Sequence, residues 1–364
     1  MHGFKDFTFS YHIIFFNRIN YNLPDLKQYA FFVLILDRFC CMNIVKMILY
    51  IDKWEDAQMP DMDDHLYNET REFYDCPVEI GQWYSYAPYA NEEQLELQRE
   101  NLVEIGNLHV AEGRLKLIYT KRMETLCDYL EKATKEVPLT DAEVSMETEI
   151  FFTSKIEGAK TTRVRTTEIH NGAPIDENNK DSETMVRNGF RAVKILKLYG
   201  NKISKGILCE VWNILVEDCC QNEDIRGAED EYRIGDIWVG DHEGVPHSDV
   251  EDAMKHWIAF YNSEELNEHL FLKAAVLHYA FENIHPFPDG NGRLGRLLMN
   301  NFLIKNGVES AKMVSFSMAI DANRGLYDGT FVSSENELAD CTPFIEYMLE
   351  AMAKAYSTAL VSAQ

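Results

Sequence analysis

The sequence predicts an all-α protein that carries one small β-hairpin. Apolar residues recur at helical spacing in several segments, most clearly over residues 270–284. Glycines follow such segments where a helix would end, as at Gly158 and Gly307. Strand-forming residues are concentrated in one short stretch, 237–239, between glycine and aspartate turns. These observations together favour a helical bundle with a hairpin attached.

The composition allows a substantial core and excludes some classes of partner. The chain has 364 residues, of which 46% are hydrophobic, and a formal net charge of -25. Such a negative surface disfavours binding to nucleic acid and to anionic membranes. A nucleotide site would therefore have to be a local basic region.

The eight cysteines show no metal-binding pattern. None belongs to a Cys-x-x-Cys pair, and two sets are directly adjacent, Cys40 with Cys41 and Cys219 with Cys220. This usage indicates reduced thiols in a cytoplasmic protein without a zinc site.

Residues 1–51 form an N-terminal extension to which we assign no function. The apolar run at residues 30–36 is too short to span a bilayer, so no stable membrane insertion is expected. The start also lacks the basic region and the small-residue cleavage site of a signal peptide. Met42 and Met47 are alternative starts.

Residues 52–138 combine an acidic segment with a predicted helical region. From residue 91 onward, apolar residues recur near the helical period, and Pro138 ends the pattern. The apolar positions that define it are Leu95, Leu102, Ile105, Leu108, Leu115 and Ile118. We predict one long helical pattern here, with a scaffolding role.

Residues 139–360 contain the remaining predicted helices. The first starts with Thr140 as N-cap, has Glu143 at capping-box spacing and stops at Gly158. A polar loop is expected at residues 176–183. Further helices are predicted at 184–199, 204–218, 249–262, 270–284 and 343–360.

Residues 285–296, with the sequence HPFPDGNGRLGR, concentrate more chemical functions than any other stretch. Prolines break the preceding helix, and a second helix starts near Gly292, so the motif is a loop that leads into a helix N-terminus. The backbone N–H groups of Gly290, Asn291 and Gly292 can converge there on an anion, which the helix dipole also favours.

The side chains of this motif complete a phosphate site with a base. Arg293 and Arg296 are three residues apart, hence on one helix face, and arginine suits bidentate phosphate contacts. A carboxylate such as Asp289 beside a phosphate site implies Mg²⁺. His285 is suited to act as a general base near neutral pH. The residues therefore predict phosphoryl-type chemistry on a nucleotide.

Residues 285–296 resemble the signature of Fic-domain proteins, His-Pro-Phe-x-Asp/Glu-Gly-Asn-Gly-Arg-x-x-Arg, at every specified position. The resemblance covers most of residues 140–350 and implies a Fic helical bundle whose core spans 139–360. Fic enzymes typically transfer AMP from ATP to a protein hydroxyl. The resemblance thus implies a protein adenylyltransferase that uses ATP with Mg²⁺ and modifies Ser, Thr or Tyr of a target protein, itself included.

The resemblance also implies a role for each motif residue. His285 would take the proton of the attacking hydroxyl, and Asp289 would hold Mg²⁺ against the α- and β-phosphates. Arg293 would neutralise the β/γ end of ATP. The remaining nucleotide-binding residues are Gly290, Asn291, Gly292 and Arg296.

Two further stretches resemble regulatory and target-binding elements of the family. Thr153, Glu157 and Gly158 resemble the inhibitory Ser/Thr-x-x-x-Glu-Gly/Asn motif, with Arg296 as the partner of the glutamate; the alternative is a surface glutamate beside a helix-capping glycine. The stretch Ile237, Trp238 and Val239 resembles the flap, a hairpin that pairs with target backbone; the alternative is an ordinary hairpin.

The sequence is also compatible with other functions. The enzyme could transfer a different group, such as UMP or phosphocholine, or it could remove AMP. A different class of function is a regulatory module that senses ATP without turnover. A homo-oligomer is compatible with the sequence, which does not identify the target protein.

Overall fold

The computed structural model describes residues 101–140, 142–239, 242–335 and 338–362. The N-terminal extension and the acidic segment up to residue 100 lie outside the described residues.

The described part of the chain is predominantly helical, as predicted. It contains the strands β1 Val103–Val110, β2 Gly113–Leu117, β3 Trp238–Val239 and β4 His242–Glu243. Its α-helices are α1 Lys121–Glu136, α2 Ala142–Ile156, α3 Arg163–His170, α4 Lys180–Leu198, α5 Lys205–Val216, α6 His247–Tyr261, α7 Leu270–Ile284, α8 Asn291–Lys305, α9 Phe316–Asp321, α10 Arg324–Ser334 and α11 Thr342–Ser362. The strands pair as two antiparallel hairpins, β1 with β2 and β3 with β4.

Helix α7 lies at the centre of the core. Every residue after Leu270 in this helix is buried, and the helix packs against α8, α11, α6 and β1. A helix that is apolar on all sides is stable only when other elements surround it. The C-terminal end of α7 is therefore a rigid support, and the motif 285–296 begins there.

Glycines end helices at the predicted positions. After α2, Gly158 has φ +86°, its N–H donates to Lys155 O at 2.9 Å, and the N–H of Ala159 donates to Ser154 O at 3.0 Å. These paired bonds form a Schellman motif, which needs a left-handed residue after the helix. Gly307, with φ +94°, ends α8 by the same pattern.

The helical pattern predicted from residue 91 is wrong over residues 103–117, which form the hairpin β1–β2. A register shift between Glu104 and His109 interrupts the alternation of β1, and Gly106 lies within it with φ +53°. The bulge places Ile105 and Leu108 on the same buried side although they are three residues apart. That spacing is also the helical one, so periodicity alone could not separate the two structures.

The remaining helix predictions are confirmed to within a few residues. Helix α3 was not predicted, and no bounds were predicted for α9 and α10. The polar loop expected at 176–183 is short, because residues 177–179 form a 3-10 turn and α4 already begins at Lys180. Within the ranges described above, no helix is long and apolar enough to cross a membrane.

Candidate active site

His285 lies where helix α7 ends. It adopts a left-handed backbone conformation, φ 51° and ψ 60°, and its N–H donates to Phe281 O at 3.0 Å. Its ring Nδ1 lies 3.1 Å from Glu282 O. A carbonyl can only accept, so this bond requires the proton on Nδ1 and leaves the basic lone pair on Nε2. The helix end thus fixes both the orientation and the tautomer of the imidazole.

The loop after His285 is held by the buried ring of Phe287 and by two hydrogen bonds of the Asn291 side chain. Phe287 is fully buried and stacks on Trp212, with ring centroids 4.6 Å apart and planes at 7°. The side chain of Asn291 accepts from Phe287 N at 3.0 Å and donates to Phe287 O at 2.7 Å. Asn291 therefore shapes the loop through its amide, and only its backbone N–H can serve an anion.

The N-terminus of α8 provides unused backbone donors. Gly290 is the N-cap residue, with φ 75°, and the first helical bond runs from Leu294 N to Gly290 O at 2.9 Å. The N–H groups of Asn291, Gly292 and Arg293 precede this bond, so the helix itself does not use them. Gly290 N–H differs from the sequence prediction, because it donates to Asp289 Oδ1 at 2.6 Å.

The carboxylate of Asp289 is fixed in the same loop. Its Oδ1 also accepts from Arg293 Nη2 at 3.2 Å, and its Oδ2 accepts from Gln221 N at 2.9 Å. A carboxylate offers about four lone-pair positions, so these bonds with Gly290 leave one for a cation. Among the described residues, no group of three or more His, Cys, Asp or Glu side chains could hold a metal ion by itself.

Arg293 lies beneath the helix N-terminus and is almost completely buried. Besides Asp289, its guanidinium faces Cys219, with Nη1 3.9 Å from Sγ. Its Nε is buried and has no hydrogen-bond partner in the described part of the chain. An unpartnered guanidinium donor at a helix N-terminus is suited to an anionic ligand.

Arg296 is paired with Glu157, as the sequence predicted. Its Nη2 donates to Glu157 Oε1 at 2.6 Å. Nε donates to Thr153 Oγ1 at 2.9 Å, and Nη2 also reaches Thr153 O at 3.3 Å. Burial opposes ionisation of Glu157, but Arg296 outweighs it and lowers the pKa of the carboxyl below its usual value. The pair therefore joins the C-terminal end of α2 to the second turn of α8.

The carboxylate of Glu157 lies directly against the anion-binding turn. A Cβ atom at Gly292 would lie 2.5 Å from Glu157 Oε1 and 3.0 Å from Arg296 Nη1. Any residue larger than glycine would collide with this pair at position 292. The glutamate thus occupies space beside the backbone donors that the sequence assigned to phosphate.

A buried polar cluster behind Arg296 was not predicted from the sequence. Burial raises the pKa of Glu282 to about 8, against the opposing effect of Arg296. Burial lowers the pKa of His278 to about 3, and its Nε2 lies 3.0 Å from the hydroxyl of Tyr327. His278 and Glu282 are four residues apart, hence on one face of a mostly apolar helix, and this spacing was the available signal.

The hairpin β3–β4 lies where strand propensity predicted it. Trp238 pairs with Glu243, and Val239 pairs with His242. Ile237 is buried, whereas the side chain of Trp238 is 62% exposed. We call the described residues 237–239 and 242–244 the flap. Arg233, which the sequence prediction did not single out, connects the flap to the loop that contains His285.

Comparison with known proteins identifies one family for this region. Residues 202–303 match the model of the Fic/DOC family. An 84-residue stretch is 40% identical to "Protein adenylyltransferase Fic" of Aedes aegypti, covering 23% of this chain and 16% of that protein. The protein of the same name from Drosophila mojavensis is 41% identical over 84 residues, with the same coverages of 23% and 16%. The chain thus matches about a sixth of the length of these curated relatives.

Solved structures share the fold of this chain. A Fic family protein from Desulfovibrio desulfuricans G20 superimposes with a TM-score of 0.59 at 24% identity, covering 67% of this chain and 75% of that one. Fic-1 from C. elegans gives a TM-score of 0.54 at 18% identity, with coverages of 67% and 72%. At these identities the likeness establishes the fold alone.

Proposed function

Because this chain carries a Fic domain, we propose that it is a protein adenylyltransferase, which transfers AMP from ATP to a hydroxyl group of a target protein. We further propose that Glu157 holds it in an inactive state. The named relatives are adenylyltransferases, and the geometry around α8 supports the same chemistry here.

The observation that carries the proposal is the carboxylate of Glu157 seated on Arg296 beside Gly292. A carboxylate in this position shows that the turn tolerates a negatively charged group. The backbone donors of Asn291, Gly292 and Arg293 and the unpartnered Nε of Arg293 extend the same region. Together they fit the phosphate chain of a nucleoside triphosphate.

His285 is oriented to act as the general base. With the proton on Nδ1, Nε2 accepts the proton of the target hydroxyl as its oxygen attacks the α-phosphorus. One P–O bond forms to the target, and the P–O bond to the β-phosphate breaks. Pyrophosphate leaves with the electron pair of that bond, while Arg293 and the backbone donors stabilise its charge.

Asp289 is the residue that would hold Mg²⁺. One carboxylate completed by phosphate oxygens and water is a usual site for this ion, and the bonds to Asp289 leave one lone-pair position for it. When bound, Mg²⁺ neutralises phosphate charge. The bonds from Gly290, Arg293 and Gln221 fix the orientation of this carboxylate.

Inhibition follows from competition for Arg296. While Glu157 holds this guanidinium, the γ-phosphate lacks its partner and meets a carboxylate instead. ATP then binds with its α-phosphate misplaced relative to His285. A displacement of about 1 Å can cost on the order of a hundredfold in rate, so the wild-type protein is expected to be nearly silent.

Labelling by a derepressed variant tests the proposal. Wild type and Glu157→Gly are incubated with α-labelled ATP, Mg²⁺ and a cell lysate at matched protein concentration. We expect self-labelling and target labelling to rise on the order of a hundredfold in Glu157→Gly. Equal labelling by the two proteins would leave Glu157 as an ordinary helix-end residue.

Two further experiments test the role of His285 as the base and the identity of the transferred group. Glu157→Gly/His285→Ala should bind ATP with unchanged affinity and transfer nothing, because His285 contacts the hydroxyl rather than the phosphates. Labelling equal to that of Glu157→Gly would remove His285 from the mechanism. Parallel incubations with labelled UTP and CDP-choline establish which group is moved. If Glu157→Gly binds ATP but labels nothing, the protein is an ATP sensor.

A further inference from the structure

A single buried arginine connects the flap to the catalytic turn. The side chain of Arg233 is 0% exposed, yet it lies between the end of α7 and the two ends of the flap. A buried guanidinium is stable only where its donors are satisfied. Here the acceptors are backbone carbonyls, and they come from both sides of the active site.

On the catalytic side, Arg233 satisfies carbonyls that the end of α7 leaves without helical partners. Its Nε donates to His285 O at 2.8 Å, and Nη2 reaches Ile284 O at 3.4 Å. Its backbone N–H donates to Pro286 O at 2.9 Å. Three consecutive residues around the general base are thus held by one residue, which supports the left-handed turn at His285.

On the flap side, the same guanidinium holds both ends of the hairpin. Nη1 donates to Gly235 O at 2.6 Å, ahead of β3, and Nη2 donates to Val245 O, after β4. The flap also approaches the base directly, since a Cβ atom at Gly244 would lie 3.5 Å from His285 Cβ. Arg233 therefore fixes the two ends of the flap relative to His285.

We propose that Arg233 is a positioning residue that sets the distance between the flap and His285 and thereby aligns a target hydroxyl with the base. The proposal rests on the function proposed above and on the resemblance of Ile237, Trp238 and Val239 to a hairpin that pairs with target backbone. Arg233 itself contacts neither ATP nor the target hydroxyl. Its effect passes through the carbonyls of Ile284 and His285 on one side and of Gly235 and Val245 on the other.

The proposal predicts that substitutions of Arg233 lower the turnover number but leave the affinity for ATP unchanged. In the Glu157→Gly background, Arg233→Ala should lower kcat on the order of a hundredfold, the cost of about 1 Å of misplacement. The Kd for ATP should change less than about twofold, because the phosphate donors belong to α8. Arg233→Lys keeps the charge but not the planar fork, so it should restore only part of kcat.

A control arginine separates this role from a general loss of stability. Arg122 is bonded to Glu350 between α1 and α11, away from the site. Arg122→Lys and Arg233→Lys are compared at temperatures where circular dichroism shows both folded. Only Arg233→Lys should lower kcat. Equal kcat values in the two variants would overturn the proposal.

A spectroscopic measurement on His285 tests the proposal without any transfer reaction. The ¹⁵N chemical shifts of the His285 ring report which nitrogen carries the proton. Glu157→Gly should show the Nδ1–H tautomer, whereas folded Arg233→Lys in that background should show a mixture of tautomers. An unchanged tautomer would overturn the proposal. If Glu157→Gly transfers nothing, the proposed function fails. The chemical shifts alone then decide whether Arg233 positions the ring of His285.

Discussion

Glu157 and Arg296 form one unit, although they belong to helices far apart in sequence. The glutamate follows the last turn of α2, where the helix dipole disfavours negative charge. Arg296 compensates for that cost, and its own burial makes the carboxylate necessary in turn. The effect of substituting either residue therefore depends on whether the other residue is present.

We expect Arg296→Ala not to imitate Glu157→Gly. It breaks the pair, but it also removes the proposed ligand of the γ-phosphate, so transfer should stay near the wild-type level. The double variant should resemble Arg296→Ala alone, a non-additive result typical of residues that act together. Quantitative labelling of the four proteins with α-labelled ATP checks this. Additive effects in the double variant would show that the two residues act independently.

Glu282 should make stability depend on pH. Its carboxyl pKa is raised to about 8 from its ordinary 4.5, so its contribution is complete below pH 4.5 and is lost as pH rises toward 8. The depressed pKa of His278, about 3 against 6.5, acts in the opposite direction as pH falls below 6.5. Glu282 therefore dominates this cluster between pH 6.5 and 8, where Glu157, Arg296 and Arg324 also face it.

The variant Glu282→Gln isolates this effect. Relative to the variant, the wild-type free energy of unfolding should fall by roughly 1 kcal/mol per pH unit above pH 6.5. Urea denaturation of both proteins across this range provides the measurement. Parallel pH profiles for the two proteins would show that Glu282 ionises normally.

At the residue level, the sequence singled out the motif 285–296 but not the residues that support it. The residues of this motif are contiguous and chemically specific, so the sequence alone led to a prediction of their roles. Arg233 and Glu282 act through partners that are distant in sequence or through backbone carbonyls. The contacts of Arg233 leave no local pattern in the sequence, and the spacing of His278 and Glu282 did not reveal Arg296 as their neighbour.

Among the elements, the flap contains a residue whose substitution should change activity without changing stability. Trp238 is 62% exposed and contributes little to the core, whereas Ile237 is buried. Trp238→Ala in the Glu157→Gly background should leave the melting temperature unchanged and lower target labelling about fivefold to thirtyfold, as loss of an aromatic anchor does. Leu198→Ala, at a more exposed site on α4, should change neither. An unaffected initial rate in Trp238→Ala would argue against target contact by this side chain.

The hairpin β1–β2 shows why one element escaped prediction. A bulge at Gly106 gives its buried residues the spacing of a helix, and its partners lie in α6, α7 and the segment before α11. The N–H of Ala111 donates to the side chain of Asn283 in α7 at 2.9 Å. Tertiary contacts thus decide a structure that local periodicity left ambiguous.

In the described part of the chain, the hairpin β1–β2 is bonded to the segment that leads into α11. Lys116 N–H donates to Ala339 O, and Cys341 N–H donates to Lys116 O, each at 2.9 Å. Thr342 Oγ1 accepts from Ile118 N at 2.8 Å and donates to Asp340 Oδ1 at 2.6 Å. Hairpin β1–β2 and helix α11 should therefore unfold together.

The variant Thr342→Val tests this connection. It leaves a buried N–H without an acceptor, so the free energy of unfolding should fall by about 1–3 kcal/mol. Thr358→Val on the same helix removes only a bond to Lys354 O and should cost less. Urea denaturation followed by circular dichroism measures both. A separate early transition in Thr342→Val would show that the hairpin and the helix are independent.

The bonds that join Lys116 to Cys341 connect positions 225 residues apart, which has a consequence for synthesis on the ribosome. At 5–20 residues per second, the nascent hairpin waits roughly 10–45 s for its partner to be translated. During that interval the edges of its strands are unpaired, which is the condition under which molecular chaperones bind. Because Ala339 and Cys341 are translated so late, a polypeptide released early from translation cannot complete these bonds.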